Sequence, residues 1–229
     1  MRRIVKTCNL STVYRAWHDN LELAGGDHPE YTSSAHIYYL DVVMNLFYCQ
    51  QGLCAYTEMP LCPPEAYDSA NWNGGRYVGN KPESKGQLEH FNSQLKAAKG
   101  WLWDNFFMVD SDVNTKVKRR QLVDSILKPD REDYDEFALL EYSSSLHMFV
   151  ARTSIPLELQ ERINAMIETL GINFGIVRHE RRQFLMEIVA DIKFGSKTWD
   201  NVIPYKFPTA FEMMKREYNP QNIVAVEEE

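Results

Sequence analysis

The segment from residue 88 to residue 118 constrains the fold most, because short apolar runs alternate there with widely spaced polar side chains. An acid–histidine pair, Glu89-His90, is followed 15 residues later by Asn105 and a further 9 residues later by Asn114. Apolar residues lie beside the pair and directly after Asn105, which predicts two short strands joined by a loop. The segment therefore predicts a β-hairpin.

A helix is predicted directly after the second strand, from about Asn114 to Leu127, and Pro129 ends it. The apolar residues that share one face of this helix are Val117, Leu122, Val123, Ile126 and Leu127. A hairpin followed by a helix would hold Glu89, His90 and Asn114 near one point. This is the layout that a one-metal nuclease needs.

The segment resembles the HNH (ββα-metal) endonuclease motif, and the resemblance implies phosphodiester hydrolysis. It implies that His90 activates water, that Glu89 and Asn114 bind a divalent cation, and that Asn105 braces the loop. Oxygen ligands suit hard cations, so Mg²⁺ (or Mn²⁺) is expected rather than Zn²⁺. One departure is Glu89, because many HNH motifs have Asp at this position. The structural alternative is a buried His90 in an ordinary strand, with the two Asn residues in turns.

A second resemblance begins at Gln51, where the run Gln-Gly-Leu-Cys-Ala-Tyr is similar to the opening of an HNH subfamily that carries a zinc knuckle. The four ligand positions of that knuckle correspond here to Cys54, Thr57, Asp110 and Val113. Structural zinc needs four nitrogen or sulfur ligands, and a single thiolate is insufficient. We therefore expect no structural zinc, and we expect Cys54 to be a small buried apolar residue.

The most basic part of this acidic chain opens the predicted helix, with Lys116, Lys118, Arg119 and Arg120. The net charge of −7 argues against a protein that holds nucleic acid over its whole surface, since Lys and Arg drive phosphate binding. These four residues are candidates for nucleic-acid binding, and a solvated helix face is the alternative. The resemblance implies one lysine close after the last Asn, which is Lys116 or Lys118.

The composition predicts a soluble α+β fold, mostly helical around the hairpin. The chain of 229 residues is long enough for a sizeable core. It has no apolar run of the roughly 18 residues that a membrane span requires and no signal-peptide pattern at its start, so a cytoplasmic location is expected. Four cysteines are too few for a disulfide scaffold, so reduced thiols are expected.

Four further helices are predicted outside the hairpin. The first begins at Ser11. The other three run from His36 to about Cys49, from Pro156 to Leu170 and from about Asn173 to Phe194. The HNH resemblance implies a domain of residues 1–188, with its catalytic core at about 86–128. Residues 189–229 form an extension whose aromatic residues indicate either a docking segment or a tail packed on its own core.

Over residues 1–188 the order of motifs is similar to the HNH subunit of Septu antiphage systems, the PtuB family. The resemblance implies an ABC/SMC-like ATPase (PtuA-like) as partner, and in retron-borne systems a reverse transcriptase with its RNA–DNA. It implies a nucleic-acid substrate, with DNA favoured and RNA such as tRNA as the alternative. A different class of function also remains open, a catalytically dead HNH-like scaffold that only binds an ATPase.

Overall fold

The computed structural model describes residues 1–32 and 35–218, and within these residues the fold is α+β, as predicted. The helices are α1 (Thr12–Ala24), α2 (Tyr39–Gln50), α3 (Glu136–Leu139), α4 (Leu157–Thr169), α5 (Gly175–Lys193) and α6 (Pro208–Tyr218). The strands are β1 (Trp72–Asn73), β2 (Arg76–Tyr77), β3 (Gly86–His90), β4 (Phe106–Asp110), β5 (Leu140–Ser143) and β6 (Met148–Ala151). No helix among the described residues is long and apolar enough to cross a membrane.

Three antiparallel hairpins, β1–β2, β3–β4 and β5–β6, form separate two-stranded sheets. In the β3–β4 hairpin, Gly86 lies opposite Asp110 and His90 lies opposite Phe106. The first four residues of β4 are buried, because α2 packs against this strand. The Gln50 side chain pairs with the backbone of Met108 at the edge of β4. It accepts a hydrogen bond from the Met108 amide at 2.8 Å and donates one to the Met108 carbonyl at 2.8 Å. The two strands predicted between residues 88 and 109 are thus confirmed.

The four helices predicted outside the hairpin are also confirmed, as α1, α2, α4 and α5. Apolar spacing was the signal for α2 and α4, and each of the four helices contributes buried residues to the core. Gly25 and Gly171 follow α1 and α4 with φ of +67° and +65°, the left-handed conformation that glycine adopts without a steric cost. Residues 60–87, predicted as a long loop, contain the small β1–β2 hairpin around Gly74-Gly75.

The prediction of one long helix from Asn114 to Leu127 is wrong. The chain instead forms a single π-helical turn, Val113–Lys118, which ends where Arg119 takes a φ of +50°. Leu122, placed on the buried face by its spacing, is 72% exposed. A separate 3₁₀ turn, Ser125–Leu127, then begins where the Asp124 carboxylate accepts from the Ile126 amide at 2.9 Å. Helical periodicity alone did not distinguish one continuous helix from two turns joined by a bend.

The boundary predicted between residues 188 and 189 is not a break in the structure. Helix α5 runs across it. Phe207, directly before α6, and Phe211 and Met214 of α6 lie in the same hydrophobic core that contains Met1. As far as residue 218, the tail therefore packs on its own core through Phe207, Phe211 and Met214. The acidic end, residues 227–229, lies outside the described residues.

A buried carboxylate, Glu58, joins this tail to the amino terminus. It accepts from the Thr209 amide at 3.0 Å and from the Arg2 amide at 2.7 Å, and it lies 3.4 Å from the amino group of Met1. Both ends of the described chain are thus held at one point. Removal of residues 196–229 would leave Glu58 without the hydrogen bonds from Thr209.

We predict that Phe211→Ala lowers the free energy of unfolding by about 3–5 kcal/mol, because it empties a fully buried ring site. Tyr205→Ala is the matched control in the same segment, since the Tyr205 side chain is 66% exposed, and it should cost less than about 1 kcal/mol. Urea unfolding of both variants measures the difference. Equal effects would contradict the packing of α6 on the core.

Candidate active site

The acid–histidine pair forms the last two residues of β3, and the hairpin turns the two side chains to different surroundings. Successive residues of a strand point to opposite faces of its sheet. Glu89 contacts the π-helical turn through Lys118. His90 instead packs against Tyr31 and Phe106. The sequence predicted that Glu89, His90 and Asn114 lie near one point. In the structure Glu89 and Asn114 lie at the π-helical turn, whereas the His90 ring lies among aromatic side chains.

On the first face, Glu89 forms a buried ion pair with Lys118. The Lys118 ammonium, which is 0% exposed, donates to Glu89 and to the backbone carbonyl of His90 at 3.3 Å. Burial raises the pKa of the Glu89 carboxyl, although Lys118 and the nearby amide of Asn114 act in the opposite direction. Asn114 also donates to the side-chain oxygen of Gln87 at 3.2 Å. Glu89, Asn114 and Lys118 thus form one cluster between β3 and the π-helical turn.

On the second face, His90 is held by a backbone carbonyl and by aromatic rings. Its Nε2 lies 2.9 Å from the Gly100 carbonyl oxygen. Because a carbonyl can only accept, Nε2 carries the proton. Burial lowers the pKa of His90 to about 4, so the ring is neutral at pH 7. Its Nδ1 makes no hydrogen bond within the described residues and is left as a proton acceptor.

Asn105 braces the loop between the two strands. Its side-chain oxygen accepts from the Asn92 amide at 2.8 Å, and its side-chain nitrogen donates to the Asn92 carbonyl at 3.0 Å. The Phe91 amide adds a bond to the Asn105 carbonyl at 2.8 Å. These three bonds close the loop directly beyond His90. A role in loop geometry is what the resemblance implies for this residue.

The four positions that correspond to knuckle ligands lie close together. The Cys54 thiol accepts from the Asp110 amide at 3.3 Å, and the Asp110 carboxylate accepts from the Val113 amide at 3.2 Å. Thr57 lies beside Cys54, and its buried hydroxyl has no hydrogen-bond partner among the described residues. Cys54 is buried, as predicted, and burial raises the pKa of its thiol. Hydrogen bonds and apolar packing hold the strand and the turn together here.

The basic residues after Asn114 have different surroundings. Lys118 was predicted to contact phosphate. It is buried in its ion pair, so in this conformation it cannot do so. Lys116 pairs with Asp112 at 2.9 Å across an exposed surface. Arg119 and Arg120 are exposed and form no ion pair within the described part of the chain. These two arginines are the members of the set that a polyanion could reach directly.

The sequence did not predict that Lys118 would pair with Glu89. The sequence predicted a regular helix with Lys118 as one of several surface cations, because residues four apart share a helix face. The π-helical turn changes that geometry and points Lys118 into the protein. The available signal was Glu89, an acidic residue in a predicted strand of the same motif as the basic residues 116–120. Buried charges are almost always paired, so one of those cations was a candidate partner.

The described residues do not fit a divalent cation at Glu89. The Glu89 charge is already neutralised by Lys118, and the amide nitrogen of Asn114 is turned towards Gln87. No group of three or more His, Cys, Asp and Glu side chains among the described residues could hold a metal ion. Hard cations need oxygen ligands that supply negative charge. The Mg²⁺ site therefore stays a prediction of the resemblance, and no reaction step is assigned to it.

We predict that Lys118→Met lowers the free energy of unfolding by about 3–5 kcal/mol at pH 7, because it leaves a buried carboxylate unpaired. Adding Glu89→Gln should restore most of this loss, since the remaining side chain is neutral. Lys116→Met is the matched control, because its partner Asp112 is exposed, and it should cost less than about 1 kcal/mol. Urea unfolding of the wild type, both single variants, the double variant and Lys116→Met measures the coupling. Additive effects of the Lys118 and Glu89 changes would contradict the pair.

We also predict that the His90 ring titrates near pH 4, below its ordinary value of 6.5. The unfolded chain binds this proton more tightly, so the contribution of His90 to stability is complete above pH 6.5 and is lost as the pH falls towards 4. The loss amounts to about 3 kcal/mol at most. NMR of the His90 ring carbon, assigned with His90→Gln, measures the midpoint. A midpoint near 6.5 would show that the ring is solvated.

Sequence comparison adds no relative on which to base a function. No model of a protein family matches the chain, and no curated protein matches it with significant similarity. The function therefore has to be inferred from the chemistry of the site itself.

Proposed function

We propose that the chain is an HNH-type endonuclease that hydrolyses phosphodiester bonds of nucleic acid, with His90 as the general base. The observation that carries the proposal is the hydrogen bond from His90 Nε2 to the Gly100 carbonyl. This bond fixes the neutral tautomer in which Nδ1 accepts a proton. The hairpin, the loop braced by Asn105 and the turn that carries Asn114 support the HNH interpretation.

In the proposed reaction, Nδ1 of His90 takes a proton from a water molecule whose oxygen attacks phosphorus. The bond between phosphorus and the leaving oxygen breaks, and that oxygen takes a proton from solvent. A general base contributes about 10²–10⁴-fold in rate. The exposed Arg119 and Arg120 supply positive charge for the substrate backbone. DNA is the favoured substrate, and tRNA is the alternative that the assay below must compare.

A partner protein accompanies this function in our proposal, because a chain of net charge −7 attracts phosphate poorly by itself. The partner implied by the resemblance is an ABC/SMC-like ATPase that captures the nucleic acid. The segment between α5 and α6 offers exposed apolar side chains for docking, namely Phe194, Ile203 and Tyr205. Exposed aromatic and aliphatic residues of this kind form the anchors of protein interfaces.

A catalytically inactive scaffold is the second candidate function. The specific observation in its favour is the Glu89–Lys118 ion pair, which neutralises the carboxylate that an HNH site would use. The separation of Glu89 and His90 onto two faces points in the same direction. An inactive scaffold would still bind its ATPase through the segment between α5 and α6.

We predict that His90→Gln lowers cleavage at least 100-fold, because it removes the proton acceptor. His28→Gln is the matched control, since His28 is equally buried and also bonds the loop, through the Trp101 amide at 3.2 Å. Gel assays on DNA and tRNA, in Mg²⁺ and in EDTA, with and without the ATPase, measure the rates. Because the pKa of His90 is lowered to about 4, kcat/KM should not fall between pH 8 and about pH 5 through this group.

Loss of activity in both variants would indicate damage to the fold rather than loss of the base. Absence of cleavage by the wild-type chain under every condition, together with ATPase binding, would favour the scaffold. Cleavage in EDTA that depends on His90 would show that the reaction needs no divalent cation. Strict dependence on Mg²⁺ would require the Glu89–Lys118 pair to open, or another set of ligands.

A further inference from the structure

A cavity of about 260 Å³ lies between the β5–β6 turn and the first turns of α5, away from the hairpin residues discussed above. The titratable side chains that line it are His147, Arg178, His179 and Arg182. No acidic residue is among the described residues that line the cavity. In a chain of net charge −7, a cavity lined only by basic titratable groups suits an anion.

The two arginines are placed at the rim of this cavity. The Arg178 Nε donates to the Leu146 carbonyl at 2.7 Å, which fixes its guanidinium and leaves the terminal nitrogens for a ligand. Arg182 lies one helical turn further along α5. Both side chains are exposed, and neither forms an ion pair within the described residues. Guanidinium groups of this kind bind phosphate oxygens through two hydrogen bonds at once.

The helix itself adds to the positive potential. Helix α5 has 19 residues, and no side chain caps its first turn. The unpaired amides at a helix N-terminus attract anions. A methyl group added at Gly175 would meet nothing within 4 Å, so the first turn is open to an incoming group.

His147 at the floor of the cavity is an independent sign of a ligand. Only 5% of this residue is exposed, and its Nδ1 lies 3.0 Å from the Tyr142 hydroxyl. Its Nε2, on the opposite edge of the ring, has no hydrogen-bond partner among the described residues. His147 lines the cavity, whereas Tyr142, the partner of its Nδ1, does not. If the Tyr142 hydroxyl donates to Nδ1, then Nε2 donates into the cavity.

We propose that this cavity binds a phosphate group of a nucleic-acid strand, through Arg178, Arg182, His147 and the amides that open α5. The choice of nucleic acid as the source of the phosphate rests on the proposed function. The phosphate site itself rests on the geometry of the cavity.

The cavity lies near the π-helical turn, through the residues that precede α5. A side chain built at Gly171 would touch Val113 and Val117 of the π-helical turn, the turn that carries Asn114. Gly175 follows Gly171 by four residues, which span at most about 14 Å.

The test compares the double variant Arg178→Gln/Arg182→Gln with Lys193→Gln/Lys197→Gln, which removes two charges near the other end of α5. Fluorescence anisotropy with a labelled DNA strand and the same RNA sequence, in EDTA, measures affinity as a function of salt. We expect the arginine variant to lose about 10-fold in affinity at low salt and its log–log salt slope to fall by about 0.7, for one phosphate contact on a single strand. The lysine variant should match the wild type. Equal losses in the two variants would overturn the site.

A second measurement separates a bound strand from a free phosphate. Titration of the wild type with inorganic phosphate, followed by NMR of the His147 ring and the Gly175 amide, should give saturable shifts that disappear in the arginine variant. Shifts with inorganic phosphate but unchanged nucleic-acid affinity in the arginine variant would overturn the assignment to a strand. The absence of shifts together with unchanged affinity would overturn the site altogether.

The proposed function and the phosphate site can fail separately. If the chain cleaves nothing, but the arginine variant loses nucleic-acid affinity, the endonuclease proposal fails and the phosphate site stands. If cleavage depends on His90, but the arginine variant binds and cleaves like the wild type, the phosphate site fails and the endonuclease stands.

Discussion

The buried ion pair between Glu89 and Lys118 determines how the hairpin and the following turn fit together. Taking both charges out of water is costly, so neither side chain tolerates the loss of the other. The pair joins the end of β3 to the end of the π-helical turn, and the additional bond from Lys118 to the His90 carbonyl ties the same strand end. The positions of Asn114 and of the His90 backbone both depend on this contact.

The two faces of the hairpin consequently have different chemistry. One face carries a charge-neutral cluster of Glu89, Lys118 and Asn114. The other carries a neutral imidazole that is anchored to the Gly100 carbonyl and surrounded by aromatic rings. With a pKa of about 4, the His90 ring is unprotonated at pH 7 and can accept a proton, although it is a weaker base than a solvated imidazole. The neutralised carboxylate suits a structural role. The endonuclease and the scaffold differ in which of these two faces carries the function.

Positive charge on this acidic protein is local rather than general. Lys118 is buried and pairs with Glu89, and Lys116 pairs with Asp112. The cations that remain accessible include Arg119 and Arg120 after the π-helical turn, and Arg178 and Arg182 beside the first turns of α5. Gly171 contacts the π-helical turn and lies just before α5, so the two basic regions are neighbours through the core. In the proposed function, these two regions are where a nucleic-acid strand would bind.

Sequence periodicity by itself determined the helices α1, α2, α4 and α5 and the strands β3 and β4, because each buries one regular apolar face against a common core. Only the tertiary structure decided the rest. The helix predicted from Asn114 to Leu127 became a π-helical turn and a bend, since pairing of Lys118 with Glu89 outweighs the regular spacing. The tail joined the core because Glu58 accepts a hydrogen bond from Thr209, 151 residues away in sequence, and because Phe211 lies in the core that also contains Met1. Contacts of that range leave no local pattern, so spacing alone could not reveal them.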